Sequence, residues 1–63
     1  MNTVGEEIKS KRISKKLSIS DISNELKISI YILENIENDK FTKEISSVFY
    51  IGHIRSYANF LDL

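Results

Sequence analysis

Apolar residues recur along the chain at helical spacing, interrupted by short polar stretches that read as caps and turns. Thr3 can cap a first helix, and Glu6 three residues later completes a capping box. Val4 and Ile8 are expected to face inward, with Leu17 beyond the helix end. Glu6 and Glu7 suit the positive start of this helix, and Lys15 and Lys16 its negative end. Ser18 is the next cap, with Asp21 in the acidic position of the box, ahead of inward-facing Ile22 and Leu26. Ser29 caps a third helix whose core stripe is Leu33 and Ile36. The polar run Asn38, Asp39 and Lys40 predicts a turn, with Phe41 plugging the core beneath it. Residues 42–46 read as a loop, and Ser46 or Ser47 as the cap of a fourth helix. The expected fold is all-α, with four or five short helices in one domain spanning residues 1–63.

The fourth helix, from Ser47 to Leu61, carries two apolar faces. At about 100° per residue, Ser47, Tyr50, Ile51, Ile54, Ala58 and Leu61 gather on one side. Phe49, His53, Ser56 and Phe60 gather on the other, with Tyr57 at its margin. One face can pack on the domain core; a second aromatic face at helical spacing marks an interaction site. Gly52, in mid-helix, costs roughly 1 kcal/mol relative to alanine and suggests close approach by another backbone. Arg55 and Tyr57 read as structural, the ring packing at the core edge and the guanidinium binding carbonyls or a carboxylate.

Composition narrows the function. The chain has 63 residues, enough for one small domain of marginal stability. It lacks cysteine, so no disulfide or thiolate metal site can form, and a reducing compartment fits. Nine Lys/Arg balance nine Asp/Glu, which leaves no net basic footprint for non-specific nucleic-acid binding. Lys9, Lys11, Arg12, Lys15 and Lys16 form the one basic cluster, expected as a solvated face or an attraction for anionic lipid or an acidic partner. His53 is the only histidine, and there is no nucleophile–base pair or phosphate-cradling glycine loop. No enzyme activity, cofactor or metal is expected.

The unit Ile19–Leu26, Lys27–Ser29, Ile30–Asn38 has helix-turn-helix spacing. With Ile8-Lys-Ser-Lys-Arg12 before it, Leu17-Ser18, and Ile36-Glu37-Asn38 at its end, the chain resembles the phage-repressor (Cro-like) family. That resemblance implies a partly buried ion pair between Arg12 and Glu37. It also maps the DNA-reading positions onto Ile19, Ile30, Tyr31 and Ile32, where repressors carry amides. Isoleucine can touch a thymine methyl but cannot specify a base by a bidentate hydrogen bond. Glu34, Glu37 and Asp39 face Lys40 alone, so the third helix is repelled by phosphates. DNA contact through Lys9, Ile30, Tyr31 and Lys40 is the alternative expectation, that of a sequence-specific transcriptional regulator.

The fourth helix adds Phe49-Tyr-Ile-Gly52-His-Ile-Arg55-Ser56-Tyr57-Ala58. With Thr3-Val-Gly-Glu and Leu33-Glu-x-Ile36-Glu37, this resembles the cytoplasmic domain of the bacterial cell-shape protein RodZ, over about residues 3–63. Ile51 and His53 depart from that pattern, which more often has Arg before the glycine and an aromatic after it. The resemblance implies an adaptor that binds the actin-like filament protein MreB through Phe49 and His53, with Ser56, Tyr57 and Phe60 beside them. It further implies the cytoplasmic N-terminal part of a longer, membrane-anchored protein, held at the inner face of the cell membrane by segments outside this chain. Self-association through the same face is a third expectation.

Overall fold

The computed structural model describes residues 3–40 and 47–63, with Ser47 described for its backbone only. Among these residues the fold is all-α, with four helices: α1 (Val4–Ser14), α2 (Ile19–Leu26), α3 (Ile30–Glu37) and α4 (Ser47–Phe60). The expected Phe41 plug, the 42–46 loop and the cap of α4 lie outside the described residues.

Local chemistry starts the first three helices. The Thr3 hydroxyl accepts from the Glu6 amide at 3.2 Å, and the Ser29 hydroxyl from the Ile32 amide at 3.3 Å. At α2 the capping box is complete: Ser18 Oγ accepts from the Asp21 amide, and the Asp21 carboxylate accepts from the Ser18 amide, both at 3.0 Å. At Thr3 the Glu6 carboxylate instead meets the hydroxyl, whose single proton it shares with the Asp39 carboxylate.

Helix ends are made without glycine. Lys16, Lys27, Asp39 and Asp62 adopt left-handed φ values between 57° and 63°. After α1, α3 and α4 the paired bonds of a Schellman motif are present. They are Leu17 N–H to Arg12 O with Lys16 N–H to Ile13 O, and Lys40 to Asn35 with Asp39 to Ile36. The third set is Leu63 to Ala58 with Asp62 to Asn59. Nothing in the residue types at these positions announces those turns, since glycine usually occupies them.

The core comprises Ile8, Ile22, Ile28, Ile32, Leu33, Ile36, Tyr50, Tyr57 and Leu61, with Leu17, Ile19, Leu26 and Ile54 packed around it. α3 sits centrally against both α1 and α2, and α4 closes over α2. Two expectations need correcting. Val4 is 52% exposed, and Gly5 takes the buried place at the start of α1. A Cβ on Gly5 would lie 2.4 Å from the Ile36 carbonyl oxygen and 2.6 Å from that of Glu37, so α1 can approach the end of α3 only at a glycine. The Gly5 amide then donates to Asp39 Oδ1 at 3.0 Å, which sets a carboxylate on the positive end of α1.

The second correction concerns α4. Its buried stripe is Tyr50, Tyr57 and Leu61, flanked by Ile54, while Ile51 is 55% exposed. The helix is therefore rotated toward Tyr57 relative to the expected inward face.

Candidate functional site: the outer surface of α4 and its anchorage

Glu37 is the residue that fixes α4 to the helix-turn-helix. Arg12 donates to it through Nε at 2.7 Å and through a terminal nitrogen at 3.1 Å, a bidentate pair. The other terminal nitrogen of Arg12 donates to the Leu17 carbonyl at 2.8 Å, tying in the α1–α2 turn. The Tyr57 hydroxyl donates to the same Glu37 carboxylate. One buried carboxylate thus collects donors from α1 and α4, and the ion-pair geometry matches what the repressor resemblance implies. The Glu37 hydrogen bond holds the Arg12 guanidinium even more firmly protonated than usual. Burial, and then the bond to Glu37, pushes the Tyr57 phenol well above its ordinary range. Both shifts carry the guanidinium and the phenol further from neutrality, so the pair serves structure.

A second link joins the same helices, with Asn35 Nδ2 donating to the Tyr50 hydroxyl at 3.3 Å in the core. At the far end Lys15 meets Asp62 at 3.3 Å, an exposed pair whose contribution is small.

This anchorage decides which residues α4 presents. Tyr57, expected at the partner surface, is fully buried and occupied with Glu37, so it belongs to the support and not to the exposed face. Phe49 is 46% exposed, Phe60 and Ser56 are exposed, and His53 is half-buried. The Phe49 and His53 rings meet edge to face, with centroids 4.2 Å apart and planes at 80°. Arg55, read as a structural ligand, is exposed and makes no hydrogen bond or ion pair among the described residues. Beyond its own helical turn, no described residue has an atom within 4 Å of where a Gly52 Cβ would stand, so the described residues do not supply the expected close backbone.

The positions equivalent to DNA readers are divided. Ile32 is buried and Ile19 partly buried against the core. Ile30, Tyr31, Lys9 and Lys40 are exposed. Exposed Glu34 shares α3 with Ile30 and Tyr31, so the helix that would enter a groove presents apolar and acidic groups. Among the described residues no group of three or more His, Cys, Asp or Glu could hold a metal ion, and no helix is long and apolar enough to cross a membrane.

Comparison with known proteins agrees with the architecture. The chain matches the helix-turn-helix domain family over residues 7–63 and belongs to it. Domains of this kind typically bind DNA or protein and are not catalysts. The chain is similar to an uncharacterized protein of Haemophilus influenzae, at 38% identity over 60 residues. That match covers 94% of this chain and 20% of the relative, so the chain spans about a fifth of the length of that protein. No solved structure matches it.

Proposed function

We propose that the chain is a non-catalytic adaptor domain whose α4 docks onto the actin-like filament protein MreB and links it to the cell-shape and wall-building machinery. In this reading it is the cytoplasmic part of a longer protein held at the inner face of the cell membrane. The observation that carries it is the half-exposed Phe49–His53 ring pair, presented with Phe60 on a helix appended to a helix-turn-helix. Aromatic anchors of this kind dominate the energetics of small interfaces. The helix-turn-helix supplies the rigid base, through the Arg12–Glu37–Tyr57 cluster. The RodZ resemblance names the partner; family membership alone is equally compatible with a DNA-binding regulator.

Co-sedimentation of the 63-residue domain with polymerised MreB tests the reading. Wild type should pellet, and the double variant Phe49→Ala/His53→Ala should stay in solution with its helical circular dichroism intact. Failure of wild type to pellet, together with salt-dependent DNA affinity that is lost on changing Lys9 or Lys40, would establish the regulator instead. A domain that fails to pellet but runs as a dimer would point to self-association.

A further inference from the structure

Glycine is the least favourable helix-interior residue after proline, and this chain keeps one at the exposed middle of α4. Nothing within the described structure asks for it. Gly52 does not adopt a positive φ, and a side chain there would meet no described residue beyond its own helical turn. The residues around it are exposed as well: Val48 one turn before at 76%, Ser56 one turn after, and Ile51 and Arg55 on the flank away from Phe49. The aromatic pair is therefore one edge of a broader surface with bare backbone at its middle.

We propose that the docking surface of α4 is centred on Gly52, where a carboxylate-bearing helix of the partner crosses with backbone close to backbone and sets its acid on Arg55. This rests on the docking reading above and adds the partner's chemistry and crossing point. Glycine at a crossing lets two helices approach more closely than side chains allow. Arg55 supplies the charge to be matched: it is exposed and has no acceptor among the described residues.

A second copy of the chain fits this surface poorly, because α4 contains no Asp or Glu to offer the opposing Arg55. A nucleic acid fits poorly too, since one cation in an apolar surround neutralises too few phosphates. A helix with apolar residues and an acid satisfies both parts.

The same sedimentation assay separates this inference from the reading beneath it, using Gly52→Leu, Arg55→Glu, Arg55→Lys and Phe49→Ala. Gly52→Leu should melt about 4 °C or more above wild type, because the free helix gains propensity without a clash. It should nonetheless bind the filament about tenfold more weakly, as the added side chain holds the partner helix off. Arg55→Glu should weaken binding by about tenfold or more, with Arg55→Lys falling between.

Wild-type pelleting that drops in Phe49→Ala but persists in Gly52→Leu and Arg55→Glu would overturn the inference and leave the adaptor reading standing. Loss in Arg55→Glu alone would overturn the crossing at Gly52. A lower melting temperature for Gly52→Leu would contradict the open space on which the argument depends. A wild-type domain that does not pellet overturns both.

Discussion

The Tyr57 hydroxyl donates to the Glu37 carboxylate, and this contact sets how α4 is turned on the rest of the domain. Glu37 lies at the end of α3, already gripped by Arg12, so its remaining acceptor capacity is filled by whichever helix covers it. A tyrosine can do so while burying its ring in the core.

Tyr57→Phe should therefore keep the fold while lowering its stability. The ring still fills its site, but a buried carboxylate loses one donor, at a cost of about 1–3 kcal/mol. Urea unfolding followed by circular dichroism measures this, and an unchanged midpoint would show that the hydroxyl contributes nothing.

Arg12→Ala should be more damaging. It leaves the Glu37 side chain, only 5% exposed, without its cation and strips a donor from the Leu17 carbonyl. Breaking a buried pair from one side costs about 3–5 kcal/mol, comparable with the whole stability expected of so small a domain. The variant should be largely unfolded at room temperature, with its amide resonances collapsed in a proton NMR spectrum.

The two glycines should respond oppositely to alanine. At Gly5 the added methyl would meet two backbone carbonyl oxygens that cannot swing aside, and a penalty of about 1–3 kcal/mol or more is expected. At Gly52 it meets no other described residue, and the helix should gain about 0.5–1 kcal/mol. Thermal melts of Gly5→Ala and Gly52→Ala, run side by side, should bracket the wild-type curve.

Acid should release the cap of α2. The Ser18 amide, and then its hydroxyl, hold the Asp21 carboxyl below its ordinary value of 3.8. The folded pKa lies below the unfolded one, so the contribution of this group is complete above that ordinary value. It is lost as pH falls through the lower folded value, where the native state finally takes up the proton. Asp21→Asn should flatten this part of the stability profile, read as unfolding midpoints from neutral pH down through that ordinary value and below it.

Substitutions at the helix-turn-helix reading positions separate the two binding modes. Ile30→Ala/Tyr31→Ala changes exposed residues of α3 and should leave filament pelleting intact, whereas Phe49→Ala should cost about 2 kcal/mol or more in affinity. Reversal of that order, read from binding isotherms, would move the site from α4 to α3.

The starts of the first three helices were legible because each is a contact between a side chain and an amide three residues away, written in adjacent letters: Thr3 to Glu6, Ser18 to Asp21, Ser29 to Ile32. Ile22 and Leu26 of α2 and Leu33 and Ile36 of α3 followed from spacing alone, whereas Ile32, mapped to a DNA-reading position, joins the core only in three dimensions. The left-handed ends at Lys16, Lys27, Asp39 and Asp62 left no such trace, because residues other than glycine occupy them. Nor did the return of Asp39 to the start of α1, a contact 34 residues long with Gly5.

The sequence by itself determined that α4 is a helix with more apolar surface than one core can cover. Which of its stripes is buried was decided only in three dimensions. Ile51 and Tyr57 are both apolar enough to face inward, and local spacing does not rank them. The choice falls to Tyr57 because Glu37, 20 residues earlier in the chain, is buried beside Arg12 and needs a further donor. That requirement turns Ile51, Gly52 and Arg55 to the outside and settles which surface a partner can reach.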